Sequence, residues 1–441
     1  MTRRNRKMLP TEAFPAKIES LSHDGQGVAH INGKATFIES ALPGEEVMFV
    51  YRKRHSRYDI GEAVEIITPS SQRVTPKCAH FAVCGGCGMQ HIAPEEQIHL
   101  KESILLENLR RLGDVVPQDI MSPLTGPHWG YRRRARLGVK YVEKKQTMLV
   151  GFRERRSSYL ADITRCEILH PAVGERLLEI RELLRGLQAY NRIPQIEMAA
   201  SDDAVALVFR HLVPLTDQDR TAMREFGERH GLYIYLQPGG PDSVSALWPQ
   251  DPHLFYSLPA FDVTLEFSPT DFTQVNGVMN RHIVDQAVAL LEPGPEERIL
   301  DLFCGLGNFT LPIARTAGSV VGVEGDAKLI QRARDNAIRN GIVNAAFHTT
   351  DLETPDIPWP WLEGGIDKIL LDPPRTGALN AIHRIGALRA ARIVYVSCNP
   401  ATFARDAGLL VHKYGYKLLR TGVMDMFPHT AHVECMALFE I

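Results

Sequence analysis

Residues 393–400 read IVYVSCNP, an apolar stretch that runs straight into a cysteine and then Asn-Pro. Ile393, Val394, Tyr395 and Val396 have the β-branched and aromatic character of a buried parallel strand, and Asn399-Pro400 is turn chemistry that stops it. Cys398 is therefore expected at the carboxyl end of a strand, where open α/β sheets bind their ligands. A lone thiol in such a place is either a small packing group or a nucleophile. Asp372-Pro373-Pro374-Arg375 ends another apolar run, with two prolines stiffening a loop whose acid falls on the same rim. Glu434, in the strand-like HTAHVECM together with His429 and His432, offers a general base. A thiol, a stiff acidic loop and a carboxylate form a set for covalent catalysis in which a proton must later be removed.

Residues 301–310, DLFCGLGNFT, follow the expected strand 298–302 and open an expected helix. Gly305 and Gly307 allow close backbone approach to a ligand, and a helix amino terminus favours a carboxylate. The third glycine of a dinucleotide fingerprint is missing, with Thr310 in its place, which argues against an NAD-linked oxidoreductase. SVVGVEGD ends in Glu324, an acid suited to both hydroxyls of a ribose. The two strand ends in register resemble a class I S-adenosylmethionine methyltransferase, with residues 301–308 near the methionine part and Glu324 on the ribose. A methyl donor beside Cys398 narrows the chemistry sharply. Carbon 5 of a uracil is too weakly nucleophilic to take a methyl group, whereas thiolate addition at carbon 6 turns carbon 5 into an enolate carbon.

Ser397-Cys398-Asn399-Pro400, Asp372-Pro373-Pro374-Arg375 and His432-Val433-Glu434 resemble the RNA uracil-5 methyltransferases, and the resemblance spans essentially the whole chain. It implies that Cys398 is the nucleophile and Glu434 the base that takes the carbon 5 proton. It also implies that Gln274, Phe303, Asn308, Glu324, Asp351 and Asp372 hold S-adenosylmethionine, with Asp372 also facing the flipped uracil. Cys304 and Cys435 are expected to be packing residues.

Cys78, Cys84 and Cys87 have the spacing C-x5-C-x2-C, and Cys166 in TRCEI is the remaining unassigned thiol. Four thiolates can hold tetrahedral zinc or an iron-sulfur cluster, and spacing alone does not separate them. The tighter C-x3-C-x2-C triplet of radical enzymes is absent. The family resemblance implies a [4Fe-4S] cluster on these four positions, with a structural role.

The elements that must position these groups divide into three regions, so the expected fold is multidomain. Residues 10–68 alternate apolar and polar positions between turns at Asp24-Gly25, Asn32-Gly33 and Pro43-Gly44, the signature of a small all-β barrel. This stretch resembles a TRAM domain, an OB-like RNA-binding barrel. Residues 69–267 form an expected central α+β domain with the cysteine loop, a helical stretch at PEEQIHLKESILLENLRRLG and strongly basic strands. Residues 268–441 alternate strands and helices and are expected to form a doubly wound, Rossmann-like methyltransferase domain.

The chain of 441 residues carries a formal charge of −2 and is 44% hydrophobic and 23% charged, an ordinary globular balance. That average conceals ten Lys/Arg against two Glu in residues 131–156, and four basic residues in YRKRHSR, residues 51–57. Interleaved with Tyr51, Tyr131, Tyr141 and Phe152, they suit a phosphate backbone with stacking rings. The basic amino terminus is followed by no apolar core of a secretory signal, and seven cysteines suit a reducing compartment, so a cytoplasmic location is expected. The barrel and the four clustered cysteines point, within the resembled family, to 23S rRNA as partner rather than transfer RNA. A monomer with no obligate protein partner and no membrane contact completes the expectation. Outside enzymes, a non-catalytic iron-sulfur RNA-binding protein is the rival, and Cys398 with Glu434 argues against it.

Overall fold

The structure, a computed structural model, describes residues 9–354 and 358–441; the reading of the basic residues 1–8 lies outside the described residues. The chain divides into two units, one running to Leu100 and including Pro428–Ala431, the other comprising Lys101–Phe427 and His432–Ile441. Among the described residues no helix is long and apolar enough to cross a membrane.

The first unit contains the expected barrel strands, ordered Phe14–Lys17, Glu46–Arg54, Tyr58–Thr68, Lys34–Glu39, Gly27–Ile31 and Ser20–Leu21 in one sheet. Asn32 and Gly33 both take positive φ, 52° and 78°, which closes the two-residue hairpin between the third and fourth strands of the chain. Ile18, Ile38, Val47 and Phe49 pack its interior. Glu45, fully buried after the Pro43-Gly44 turn, accepts hydrogen bonds from Leu42 N, Ser70 N and two Arg73 nitrogens at 2.6–3.0 Å. Burial alone would raise its pKa, but the Arg73 and backbone donors hold it below the usual carboxylate range. The cysteine loop is a succession of tight turns, with Val83 N and Cys84 N donating to His80 O and Cys78 N to Gln90 Oε1. His429 belongs to this unit, where its backbone carbonyl accepts from Gly88 N and Met89 N and its amide donates to Gln97 Oε1.

The second unit holds two large sheets. One is ordered Ser245–Trp248, Leu232–Gln237, Val205–Arg210, Gln195–Ala200, Arg134–Val142 and Thr147–Gly151. Its last two strands carry the basic stretch, but not as a row of solvated cations. Arg133 pairs with Asp202 at 2.6 Å, Arg136 with Glu197 at 3.0 Å, and Arg134 Nη1 donates to Pro269 O, so these arginines hold the fold together. Lys140, Lys144, Lys145 and Arg153 are exposed and have no carboxylate partner among the described residues. In the barrel, Arg52 is likewise occupied by Glu62, which leaves Lys53 and Arg57 exposed.

The other sheet is ordered Ala345–Thr349, Ser319–Glu324, Arg298–Leu302, Lys368–Leu371, Arg392–Ser397, Glu434–Glu440, Lys417–Met424 and Asp119–Ile120. The first five strands are parallel and nearly all apolar, as strands covered on both faces must be. Glu434–Glu440 pairs antiparallel with Arg392–Ser397. Strand order reverses between Arg298–Leu302 and Lys368–Leu371, which opens a crevice at their carboxyl ends.

The helix that follows Cys398, Pro400–Gly408, is seated against the turn Leu109–Gly113 by glycine contact. A Cβ on Gly113 would stand 2.4 Å from Ala404 O, and one on Gly408 would stand 2.8 Å from Gly113 O. Gly113→Ala should cost about 1–3 kcal/mol through this overpacking and lower the thermal midpoint. Gly186→Ala, where nothing lies within 4 Å, should leave it unchanged. Equal midpoints for both variants would show that the backbone contact does not constrain the helix.

Candidate active site

Strand register builds the site. Leu371 pairs with Leu302 on one side and Tyr395 on the other, so Asp372 and the residues after Val396 emerge on one rim. Ser397 pairs with Cys435 of the antiparallel strand, which begins at that same rim with Glu434. Three side chains widely separated in sequence, Asp372, Cys398 and Glu434, are thereby neighbours at the crevice.

Asn399 and Pro400 do more than stop a strand. Asn399 Oδ1 caps the helix Pro400–Gly408 by accepting from Ala401 N at 3.0 Å, with proline at the first helical position. The Asn399 Nδ2 and Thr402 hydroxyl donate to Arg375 O at 3.0 and 3.2 Å. Buried Asp406 accepts from Ala378 N and Tyr395 OH, both at 2.8 Å, and pairs with Arg405 at 2.7 Å. The Asp372–Arg375 loop is thus clamped to the helix that follows Cys398. The Arg375 guanidinium lies 3.2 Å from His432 Nδ1, and burial together with Arg375, Lys101 and Arg132 pushes the His432 pKa down. Asp406 carries no sequence signal for this role.

Burial dominates the electrostatics. It pushes Cys398 up to about 11, assisted by the charges of Glu434 and Asp372 and opposed by Arg375. It pushes Glu434 up to about 8, assisted by Asp372 and opposed by Lys101 and Arg375, and Asp372 up to about 7. Burial thus favours the neutral thiol of Cys398 and the neutral carboxyl of Glu434 in the resting site. An arriving cation lowers all three values, so the pocket is complementary to positive charge.

Most residues expected to hold the methyl donor stand at the ends of the same parallel strands. Phe303, Gly305 and Gly307 all take positive φ, an unusual conformation for phenylalanine and one that bends the loop back over the strand ends. The helix expected after this loop opens at Thr310 and is short, Thr310–Ala314. Glu324 Oε2 accepts from Gly305 N at 3.2 Å, which ties the acid to the glycine loop. Asn308 is held by Asn280 and Tyr256 OH, partners that sequence reading missed. Asp301, also unassigned from sequence, is fully buried with Oδ2 bonded to Thr310 and Oδ1 without a partner among the described residues; burial raises it to about 7. Asp351 ends the strand beyond Glu324, accepts from Thr354 Oγ1 at 2.6 Å and is held low by that bond. Gln274 is half-buried just before the Asn276 cap of helix Gly277–Leu291. Cys304 and Cys435 are buried packing residues, as expected. Cys78, Cys84 and Cys87 lie in the first unit and Cys166 in the second. Among the described residues no group of three metal-ligating side chains is arranged around a cation site.

Comparison with known proteins identifies the domains and the family. A family model described as a methyltransferase domain matches residues 293–429, and one described as a TRAM domain matches residues 11–48. The 23S rRNA (uracil(1939)-C(5))-methyltransferase RlmD of Methylococcus capsulatus is 53% identical over 439 residues, covering 99% of both chains. The protein of the same name from Alkalilimnicola ehrlichii is 51% identical over 438 residues, covering 99% of this chain and 98% of its own. The chain belongs to the RlmD family. A solved structure of Pyrococcus abyssi tRNA (uracil-54, C5)-methyltransferase with S-adenosyl-L-homocysteine matches 97% of this chain and 100% of its own. Its TM-score is 0.73 at 24% identity, which shows a shared fold. The RlmD family thus places a TRAM domain ahead of a Rossmann-like methyltransferase sheet in this chain.

Burial of Glu434 makes stability pH dependent. Burial pushes Glu434 up to about 8 from the ordinary carboxyl value of 4.5, so the folded state binds its proton more tightly than the unfolded state does. Ionisation therefore destabilises the fold increasingly as pH rises from 4.5 to 8. Glu434→Gln should raise the thermal midpoint at pH 8, with the advantage shrinking toward pH 4.5. A pH-independent difference in scanning calorimetry would refute the raised value.

Proposed function

We propose that this member of the RlmD family methylates carbon 5 of a uridine in 23S rRNA, the one corresponding to uracil 1939 of its relatives, through a covalent adduct on Cys398. The antiparallel pair Ser397 and Cys435, which stands Glu434 beside Cys398, is the observation that carries this reading. S-adenosylmethionine, held by Gln274, Phe303, Asn308, Glu324, Asp351 and Asp372, supplies an electrophilic methyl group. The target uracil leaves its stack at a cost of a few kcal/mol, least in a single-stranded or loop region. Cys398 gives its proton to solvent and its sulfur adds to carbon 6, making carbon 5 an enolate carbon that takes the methyl group as the donor's sulfonium C–S bond breaks and S-adenosylhomocysteine leaves. Glu434, as carboxylate, then removes the carbon 5 proton. The electrons of that C–H bond restore the carbon 5–carbon 6 double bond and expel the Cys398 thiolate. Arg375 is the cation nearest this chemistry on the nucleophile's own rim, and it favours the thiolate.

RNA phosphates are met by the cations left exposed, Lys53, Arg57, Lys140, Lys144, Lys145 and Arg153. The enzyme acts in the cytoplasm as a monomer.

The two carbons and two residues make a direct test. Cys398→Ala should give neither adduct nor product with labelled S-adenosylmethionine and 23S rRNA. Glu434→Gln should transfer the methyl group and stall as a labelled protein–RNA complex that survives denaturing electrophoresis. Normal turnover by Glu434→Gln would assign the base elsewhere, with Asp372 the next candidate, and label confined to transfer RNA would overturn the substrate.

Cys78, Cys84, Cys87 and Cys166 are the proposed ligands of a [4Fe-4S] cluster that staples the cysteine loop. Gly86 N donates to Cys84 Sγ at 3.4 Å, the type of contact that stabilises a thiolate ligand. Anaerobically purified protein should be brown with about four irons per chain, and Cys166→Ser should lose iron while retaining S-adenosylhomocysteine binding. Colourless protein with stoichiometric zinc would replace the cluster by a zinc site.

A further inference from the structure

Lys101 is 1% exposed, in the middle of helix Pro94–Asn108, and the proposed chemistry makes no use of it. A buried ammonium is costly unless paired. Its Nζ donates to Asp425 Oδ1 at 2.6 Å and to Phe427 O at 3.0 Å, which occupies two of its three protons. Asp425 is itself 3% exposed and pinned by its amide to Leu124 O. The preceding residue, Met424, is the cross-strand partner of Glu434. The ion pair therefore stands next to the base, one position along the neighbouring strand.

Glu434 is 7% exposed and its carboxyl accepts no hydrogen bond among the described residues. The charged and titratable groups facing it are Asp372 and Arg375 from the loop after Lys368–Leu371, Cys398 from the end of Arg392–Ser397, and Lys101 from its helix. Asp425 sits behind Lys101, and His432 lies on Glu434's own segment, its proton affinity lowered by burial, Arg375, Lys101 and Arg132. Arg375 is exposed and bonded toward His432, so an incoming RNA can re-pair it. Lys101 is the sequestered cation, out of reach of both solvent and substrate.

We propose that the buried Lys101–Asp425 pair positions charge behind Glu434, Lys101 supplying the positive field that lets Glu434 act as a carboxylate and Asp425 setting how strong that field is. This inference rests on the assignment of Glu434 as the base. Lys101 touches no reacting atom and is a positioning residue. It acts on one step only, the removal of the carbon 5 proton that resolves the adduct.

The two members of the pair should shift that step in opposite directions. Preformed methylated adduct is followed to free RNA across pH in single turnover, with S-adenosylhomocysteine binding and the thermal midpoint measured alongside. Lys101→Met should leave adduct formation near normal, slow resolution about tenfold at pH 7 and move the pH midpoint of resolution up by about one unit. Lys101→Arg should restore both. Asp425→Asn, which leaves the ammonium less neutralised, should move the midpoint down. If Lys101→Met fails to fold, the downward shift in Asp425→Asn alone decides. Losses that are equal for formation and resolution, or midpoints unmoved in both variants, would reduce the pair to a structural pin. Glu434→Gln run in parallel separates the two readings: an accumulating adduct with unmoved midpoints overturns only the role of Lys101, whereas normal turnover overturns the base itself.

Discussion

The antiparallel pairing of Glu434–Glu440 with Arg392–Ser397 is the constraint on which the site depends. A parallel strand would begin at the opposite edge of the sheet and carry Glu434 away from the crevice. Because this strand alone enters the parallel sheet in reverse, its first residue meets the end of its neighbour, and an acid 36 positions from Cys398 in the chain becomes its neighbour in space. The apolar strands around it then enforce dryness, and dryness raises Cys398, Glu434 and Asp372 together.

That dryness has a cost that the fold meets elsewhere. Several acids of the second unit are buried, and their partners differ with their purpose. Asp406 is fully satisfied by Tyr395, Ala378 and Arg405, and it holds the loop that carries Arg375. Asp301 keeps one oxygen unpartnered among the described residues, beside the glycine loop proposed to receive the methyl donor. Glu434 accepts no hydrogen bond at all among those residues and keeps a high proton affinity. Satisfied carboxylates build the frame, and unsatisfied ones stand where a ligand or a transferred proton arrives.

Basic residues follow the same division. The stretch 131–156 looks like a uniform phosphate-binding surface because sequence counts charges without counting partners. In the fold Arg133 and Arg136 are occupied by Asp202 and Glu197, which lie 69 and 61 residues away. A strand places its residues alternately on two faces, so only part of a basic run can reach a phosphate.

Local chemistry made much of this protein legible from sequence. The barrel turns follow from glycines that take positive φ cheaply, the parallel strands from apolar runs of the right length, and the end of the Cys398 strand from Asn-Pro, turn chemistry that stops it. The resemblance of the SCNP, DPPR and HVE motifs then supplied roles for Cys398, Asp372 and Glu434. What tertiary structure alone decided are the long-range partnerships: Asp406 with Ala378 across 28 residues, and Lys101 with Asp425 across 324. Neither side of such a pair carries a local signal, because hydrogen bonds and burial in a folded core depend on which elements pack together. The proton affinities of the site belong to this second class. A carboxyl or a thiol has one intrinsic pKa in any sequence, and only the solvent excluded and the charges assembled around it by the fold can move it.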